Sequence, residues 1–184
     1  MSEVFAFAGA VLHLQRSPGA SQPMEHLAQA TLEAGVGLAG DRYATRTGTY
    51  SARHHIDRQV TLIEVETLEA LWRDRSVRLE PAEHRRNVTS VGVPLNHLVG
   101  RYFRVGACVL YGGRLNVPCK YLEELVAKPV MRAMLNRSGL NARIIVGGVI
   151  RPGDKIEPVD RDSLDEALVI ANEQTPTQPA PDVF

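Results

Sequence analysis

The stretch RYFRVGACVLYGG, residues 101–113, decides the fold class. Gly106 separates two short apolar runs in it, and glycine allows the positive backbone φ angles of tight turns between strands. The stretch therefore predicts two adjacent antiparallel strands. A second stretch, GGVIRPGDKIEPV at residues 147–159, repeats the pattern with PGD as its turn and predicts another antiparallel pair.

The other strand-like segments are also short and are bounded by glycine and polar residues. The predicted strands are Val60–Ile63, Asn87–Val91, Tyr102–Val105, Cys108–Tyr111, Ala142–Val146 and Lys155–Val159. A first strand is predicted in the apolar N-terminal run FAFAGAVLHL. Short strands at this spacing are typical of a barrel or a curled sheet, so we expect a mainly β (α+β) fold with a few short helices.

Apolar residues recur at helical spacing in three segments, Glu64–Trp72, Cys119–Val126 and Pro129–Arg137. Pro129 suits the first turn of its helix, and Gly139 suits a stop just beyond it. The faces predicted to be buried are Val65, Leu68, Leu71 and Trp72 in the first, Leu122, Leu125 and Val126 in the second, and Val130, Met131, Met134 and Leu135 in the third.

The chain has 184 residues, 44% of them hydrophobic, which is enough for one domain with a sizeable core. We expect a single domain over residues 1–160. Residues 161–184 are expected to form a short helix or extension and a disordered tail in the polar, Pro-rich stretch NEQTPTQPAPDVF.

Charge and cysteine content indicate which partners the protein can bind and in which compartment we expect it. Lysine plus arginine (21) equals aspartate plus glutamate (21), so no overall field attracts nucleic acid or an anionic membrane, and neither is expected as a partner. Glu3 stands where a signal peptide needs basic residues, and no apolar run approaches the roughly 18 residues of a membrane-spanning helix. Two cysteines do not make the disulfide framework of small secreted proteins. We therefore expect a soluble protein of the reducing cytoplasm.

The stretch NVPCKYLEEL at residues 116–125 places Cys119 after Val-Pro, where an apolar strand passes into a predicted helix. Backbone N–H groups at a helix N-terminus and the cationic side chains of Lys120 and Arg114 would favour a thiolate there. The pattern is typical of a reactive cysteine, and equally of an inert small residue at a corner. Cys108, in the alternating run ACVLY, is predicted to lie in the core.

Five pieces of the chain, in their order and spacing, resemble the MOSC family, named after the C-terminal domain of molybdenum-cofactor sulfurase. They are GLAGDRY (37–43), DRQVTLIEVETLEAL (57–71), RRNVTSVGVPLNHLVGRYFRVG (85–106), NVPCKYLEEL (116–125) and RSGLNARIIVGGVIRPGDKI (137–156). The resemblance covers residues 35–160 and implies a stand-alone member with the barrel-like MOSC fold.

The resemblance also implies a role for Cys119, either carrying sulfur as a persulfide or acting as the ligand to molybdenum in a bound molybdenum cofactor (molybdopterin). Arginine forks and amides suit the phosphate and the pterin edges of such a cofactor. The residues assigned to cofactor binding are Asp41, Arg42, Arg85, Arg86, Asn87, Thr89, Lys120, Arg137 and Arg143. An Arg-Arg pair is also typical of a solvated strand start, and GLAGD is also typical of a turn capped by Asp41.

A different site is suggested by His54 and His55, in YSARHHIDR, which with Cys119 or Asp57 could complete a tetrahedral zinc centre. Neighbouring residues of an extended chain point in opposite directions, which argues against a shared ion.

The remaining histidines and the longest polar segment have simpler interpretations. His84 and His97 lie in polar turns and are predicted to be at the surface. Residues 42–55 form a long polar stretch, which is interpreted as a mobile loop over the pocket or as a plain insertion.

Three functions compete on these residues. The favoured one is a cytoplasmic protein that binds molybdenum cofactor or passes sulfur through a Cys119 persulfide, as a molybdenum-cofactor-dependent oxidoreductase or a sulfur transferase. Its partner would be a cysteine desulfurase, which uses pyridoxal phosphate, or a reductase. The alternatives are a non-enzymatic delivery or interaction module on the same scaffold and a small metalloenzyme built on His54, His55 and a carboxylate.

Overall fold

Short apolar runs punctuated by glycine form strands along residues 6–53 and 55–177, the part of the chain that the computed structural model describes. The strands are β1 (Gly9–Arg16), β2 (Glu25–Leu27), β3 (Ala30–Glu33), β4 (Gly37–Leu38), β5 (Val60–Glu64), β6 (Val88–Val91), β7 (Tyr102–Val105), β8 (Cys108–Leu115), β9 (Leu140–Val146), β10 (Gly148–Ile150) and β11 (Lys155–Pro158). The α-helices are α1 (Val65–Arg75), α2 (Lys120–Val126), α3 (Val130–Ala133) and α4 (Glu166–Glu173), and 3-10 turns cover Leu95–Leu98 and Arg161–Ser163.

Seven strands close into a barrel, which confirms the expected mainly β, barrel-like fold. Their order is β11-β7-β8-β9-β5-β6-β1, and pairing of β1 with β11 closes the ring. All neighbours are antiparallel except β5 and β6, which are parallel because α1 lies between them and returns the chain to the same end of the barrel. Strand β2 pairs antiparallel with β1 outside the ring. Strands β3, β4 and β10 form a separate three-stranded sheet.

Of the two predicted antiparallel pairs, the first is confirmed and the second is wrong. β7 and β8 pair antiparallel, and Val105 faces Cys108 across a turn in which Gly106 has a φ of 56°. The PGD turn also forms, but β10 pairs with β3 and β11 pairs with β7 and β1. A hydrogen bond from Gly153 N to Val11 O at 2.8 Å fixes the turn to β1. The turn thus passes the chain from the three-stranded sheet to the barrel.

The barrel interior is filled by alternate apolar residues of its strands, which is how a half-buried strand forms a core. Cys108 belongs to this interior and has no exposed surface, as predicted. Large side chains in the same cluster are Leu14, Leu62, Leu98, Phe103 and Leu110.

The helices cover one side of the barrel through a second apolar cluster, which includes Ile63, Leu71, Leu122, Val130 and Met134. Three residues predicted to be buried on these helices are exposed instead. They are Trp72 at 58%, Leu125 at 37% and Leu135 at 52%. For Leu135 the reason is helix length: α3 is a single turn that ends at Ala133, so Leu135 lies beyond the helix and not on the predicted helical face.

The last described segment packs on the barrel through α4, whose Val169 contacts a small cluster with Tyr102 and Val109. Of the stretch predicted as a disordered tail, Asn172 and Glu173 end α4, and Asn172, Thr175 and Thr177 accept hydrogen bonds from Arg143. Residues 178–184 lie outside the described part. Within residues 6–53 and 55–177, no helix has the length and apolar character needed to cross a membrane.

Candidate functional site

A pocket of about 360 Å³ opens at one end of the barrel. Its walls come from the ends of several strands, the loop after β4 and the corner before α2, so residues far apart in sequence meet there. Among the described residues that line it are six arginines, and none of these lining residues is an aspartate or a glutamate. The arginines are Arg42, Arg53, Arg58, Arg85, Arg86 and Arg114.

The electrostatic state of these arginines favours an anionic ligand. Burial lowers the pKa of the Arg86 and Arg114 guanidinium groups to about 10. Burial, and next the charge of Arg42, lowers the pKa of Arg85. Desolvation and like charges disfavour the protonated form, so an anion bound among these groups would be stabilised by them. The net charge of the whole chain is zero, and the positive field is therefore local.

Arg85 and Arg86 both line the pocket although they are adjacent in sequence. In an extended chain their side chains would point in opposite directions, but Arg85 has a φ of 59°, in the left-handed region, which breaks the alternation. Arg85 Nη1 donates to Gln22 O at 2.7 Å, and Arg86 Nη2 donates to Ser138 Oγ at 2.7 Å. Both side chains are thus fixed before any ligand arrives.

Asp41 and Asn87 do not line the pocket. They lie behind its wall and hydrogen-bond to residues that form it. Asp41 Oδ1 accepts hydrogen bonds from Arg42 Nη1 at 3.2 Å and from Asn87 Nδ2 at 3.1 Å. Asn87 Oδ1 accepts from Thr61 N at 3.1 Å and from Thr61 Oγ1 at 2.8 Å. These buried contacts connect the loop that carries Arg42 to strand β5, and so position the arginines.

Cys119 lines the pocket at the corner before α2, where it is half-buried. It is the N-cap residue of α2 and has extended backbone angles, with φ at −135° and ψ at 152°. Tyr50 approaches it from the loop after β4: burial, and next a hydrogen bond to Cys119, raises the pKa of Tyr50. The thiol therefore faces the same space as the arginines.

Three tyrosines, Tyr43, Tyr50 and Tyr121, also line the pocket. The rings of Tyr50 and Tyr121 meet edge to face at 6.1 Å, and Arg58 lies 5.1 Å from the ring centroid of Tyr43. Tyr121 Oη accepts a hydrogen bond from Ser21 N at 2.9 Å. Planar rings beside guanidinium groups suit a ligand with both a flat and an anionic part.

The loop of residues 42–55 is part of the pocket, since Arg42, Tyr43, Thr49, Tyr50, Ala52 and Arg53 all line it. Whether this loop opens and closes stays a prediction.

Four residues assigned to cofactor binding lie elsewhere. A hydrogen bond of 3.0 Å joins Thr89 Oγ1 to His84 Nε2. Lys120 is exposed, and its Nζ atom lies 3.6 Å from Glu124 Oε1. Arg137 Nη1 donates to Asp74 Oδ2 at 3.3 Å, on the helical side of the barrel.

Arg143 is the fourth of these residues. It is buried against Asp57, with 2.5 Å between Arg143 Nε and Asp57 Oδ1, and it does not line the pocket.

The structure bears on two predictions about histidines, the exposure of His84 and the zinc site at His54 and His55. His84 was expected at the surface, but it has no exposed area, because Arg86 N donates to its Nδ1 at 3.0 Å and the start of β6 encloses it. In residues 6–53 and 55–177, no cluster of three or more histidines, cysteines or carboxylates is arranged to hold a metal ion. His54, which the zinc hypothesis needs, lies outside the described residues.

Sequence analysis missed several pocket residues: Arg53, Arg58, Tyr43, Tyr50, Asn116, Tyr121 and Asn141. For Tyr43, Tyr50, Arg53 and Arg58 the signal is the density of arginine and tyrosine in RYATRTGTYSARHHIDR, which is unusual for a plain insertion. Asn116, Tyr121 and Asn141 carry no such signal.

The fold and the site together define a barrel protein with one thiol and a group of arginines at a shared pocket. The family model described as MOSC domain matches residues 24–157, and the chain belongs to this family. The expected resemblance is thus confirmed.

Three solved structures share the fold. YuaD from Bacillus subtilis has a TM-score of 0.70 at 18% identity, covering 83% of this chain and 97% of that one. YiiM from Geobacillus stearothermophilus has a TM-score of 0.63 at 14% identity, covering 90% and 82%. YiiM from Escherichia coli has a TM-score of 0.59 at 17% identity, covering 95% and 80%. A search of curated proteins finds no match in sequence.

Proposed function

We propose that the protein binds molybdenum cofactor in the arginine pocket and that Cys119 carries the chemistry, as the ligand to molybdenum or as a persulfide. The MOSC family is linked in general to molybdenum-cofactor and sulfur chemistry. The observation that carries the proposal is that Cys119 and six arginines line one pocket, with no carboxylate among its described lining residues.

The residues present fit such a cofactor group by group. Arg42, Arg85, Arg86 and Arg114 would hold its phosphate, because fixed guanidinium groups bind phosphate through paired charged hydrogen bonds. The rings of Tyr50 and Tyr121 would lie against the flat pterin. Cys119 would supply a soft thiolate, the ligand type that molybdenum takes from cysteine in this family. When bound, the cofactor would supply two-electron redox chemistry at molybdenum.

Sulfur transfer is the second reaction that the same thiol supports. The Cys119 thiolate would attack the terminal sulfur of a persulfide on a cysteine desulfurase, forming a new S–S bond at Cys119 and releasing the desulfurase thiolate. No external oxidant is needed, because the donor sulfur is already at the sulfane level. A cytoplasmic location fits this use, since the thiol stays reduced there. A delivery module would load sulfur or cofactor in the same way and would differ only in having no turnover with a reductase.

Purification from a host that makes molybdopterin tests cofactor binding. We expect pterin and molybdenum to co-purify with wild-type protein. Cys119→Ser should lose molybdenum, and Arg86→Gln should lose both. The exposed variant Arg104→Gln is the control and should retain both.

Incubation with cysteine desulfurase and cysteine tests sulfur transfer. We expect a gain of about 32 Da on the peptide that contains Cys119, the mass of one added sulfur. Cys119→Ser should abolish the gain and Cys108→Ser should not. If wild-type protein takes up neither cofactor nor sulfur, the pocket serves another ligand.

A further inference from the structure

A buried histidine lies directly behind one arginine of the pocket. Arg114 Nε donates a hydrogen bond to His55 Nε2 at 3.0 Å, and His55 is only 7% exposed. Arg114 lines the pocket that contains Cys119, whereas His55 does not. The histidine therefore contacts the guanidinium group from the side away from a ligand.

The contact with Arg114 fixes which ring nitrogen of His55 carries the proton. A guanidinium group is a donor only, so Nε2 must accept and the proton of the neutral ring must be on Nδ1. Asp57 Oδ2 lies 3.7 Å from Nδ1 and has no hydrogen bond within the described part of the chain. Asp57 N also points at Nδ1, at 3.4 Å, which would need Nδ1 as the acceptor. A neutral ring has only one acceptor nitrogen, and the Arg114 contact is shorter and comes from a charged donor, so we assign the acceptor to Nε2.

Asp57 itself is held rigidly. Its Oδ1 accepts from Arg143 Nε at 2.5 Å, and it has no exposed surface. On the other side it packs on the backbone of β8, where a Cβ added at Gly113 would lie 2.3 Å from Asp57 Oδ1. The carboxylate is thus a fixed negative group, with its Oδ2 atom 3.7 Å from the Nδ1 atom of His55.

The remaining donors of Arg114 are also partly engaged. In the amide orientation that satisfies its neighbours, the Asn141 side-chain oxygen accepts from Nη1 and Nη2 of Arg114 at 3.2 Å each. Of the five N–H groups of a guanidinium, at least one on Nη2 then stays available to a ligand. Histidine and asparagine together leave Arg114 with one defined direction towards the pocket.

We propose that His55 is a positioning residue for ligand binding: with Asp57 behind it, it orients the Arg114 guanidinium towards an anion in the pocket. This inference rests on the proposed function, because it assumes that the arginine pocket binds an anion. It assigns His55 a task in anion recognition instead of the zinc coordination that the His-His pair suggests. Orienting a donor in advance strengthens binding, since the ordering of the side chain is completed before the ligand arrives.

Binding of inorganic phosphate, measured by calorimetry at low ionic strength, tests this assignment with a matched pair of variants. In His55→Gln the side-chain oxygen reaches the position of Nε2 and can still accept from Arg114. In His55→Asn the oxygen reaches only the position of Nδ1. We expect His55→Asn to bind phosphate roughly tenfold more weakly, as for the loss of one charged hydrogen bond, and His55→Gln to stay close to wild type.

A second pair of measurements separates positioning from general damage. In an Arg114→Gln background, adding His55→Asn should cause no further loss of phosphate affinity, because His55 acts through Arg114. The nitrogen NMR shifts of the His55 ring should show a protonated Nδ1 in wild type and a mixture of tautomers in Arg114→Gln.

The outcomes distinguish this inference from the proposed function. Equal phosphate affinity of wild type and His55→Asn would overturn the positioning role and leave the pocket proposal intact. Equal losses from His55→Asn with and without Arg114 would also overturn it, as would a tautomer unaffected by Arg114→Gln. If wild-type protein binds no phosphate, the anion pocket itself is wrong and the role of His55 fails with it.

Discussion

The two cysteines of the chain differ in burial and in what surrounds them. Cys108 points into the barrel core with no exposed area, and burial raises the pKa of its thiol. Cys119 is half-buried at an arginine-lined pocket. We therefore expect an alkylating reagent at neutral pH to modify Cys119 first, at a rate at least tenfold higher, because the thiolate must be both formed and accessible.

Mass-resolved peptide mapping after short exposure measures the two rates. Cys119→Ser should leave Cys108 as slow as in wild type, which controls for opening of the barrel. Faster modification of Cys108 in the wild-type protein would contradict the assignment of Cys119 as the reactive thiol.

Asn87 is expected to matter for stability, because its amide connects Thr61 to Asp41 inside the molecule. Asn87→Ala would leave these buried groups without partners, at a cost of about 2–3 kcal/mol in the free energy of unfolding. Urea denaturation measures this cost. Asn96→Ala is the matched control: its amide donates one exposed hydrogen bond, to Asn136 O at 2.7 Å, and we expect a much smaller change. Equal stability of Asn87→Ala and wild type would show that Asn87 does not support the pocket wall.

At the scale of elements, the segment that leads into β6 holds a histidine in its neutral form. Burial, and next the charge of Arg86, lowers the pKa of His84 to about 3, whereas an unfolded histidine titrates near 6.5. Between these values the unfolded chain binds a proton that the folded protein does not. The free energy of unfolding therefore falls as the pH falls from about 6.5, by about 1.4 kcal/mol per pH unit.

Denaturation at pH 6.5 and pH 5 checks this dependence, and a loss of about 2 kcal/mol is expected from His84 over that interval. His84→Asn keeps an acceptor for Arg86 N but does not titrate, so its stability should fall less over the same interval. Identical pH slopes for the two proteins would show that His84 can be protonated in the folded state.

Helix α4 is fastened to the barrel by Arg143, which donates to Asn172 O at 3.1 Å and to Thr175 O at 2.9 Å. Arg143→Met would break these contacts and leave Asp57 as a buried, unpaired charge, at a cost of about 3–5 kcal/mol. We expect a large drop in melting temperature, measured by thermal denaturation. Arg161→Met, on the exposed ion pair with Glu173, is the control and should melt like wild type. A melting temperature of Arg143→Met equal to that of wild type would show that Arg143 does not hold α4 on the barrel.

Local sequence signals predicted the elements that depend on neighbouring residues. The β7–β8 hairpin needs only Gly106 and two alternating runs, and all of that information lies within 13 residues of sequence, 101–113. The PGD turn was equally local, but the partners of β10 and β11 are β3, β1 and β7, which lie far away along the chain. Burial of His84 and exposure of Trp72 depend on the same long-range packing, so the polar turn around His84 and the helical periodicity around Trp72 both led to wrong predictions.

At the scale of the whole molecule, barrel closure explains which part of the site could be predicted. Cys119 and the Arg85-Arg86 pair were recognisable as motifs, and the pocket does contain them. Tyr121 and Asn141 were given no role from sequence, and they join the site because chain segments from across the barrel meet at one opening. Lys120 shows the converse: it is next to Cys119 in sequence, yet its side chain extends into solvent beside Glu124.

The protein has no net charge, but its pocket is cationic, and this contrast leads to a prediction about polyanions. Because the chain has a net charge of zero, its outer surface should not attract a large polyanion, and the arginines lie inside a recess of about 360 Å³. A phosphate ion can enter such a recess, whereas the phosphates of duplex DNA are fixed on a rigid rod that is too wide for it. We therefore expect phosphate binding to weaken as salt screens the arginines, and an excess of duplex DNA to leave it unchanged. Calorimetric titration of phosphate at two salt concentrations, with and without DNA, measures both effects. The opposite result is that DNA displaces phosphate when its phosphate groups are at the same concentration as the free ion. That result would show that the arginines form an open surface patch, which would point to a nucleic-acid partner.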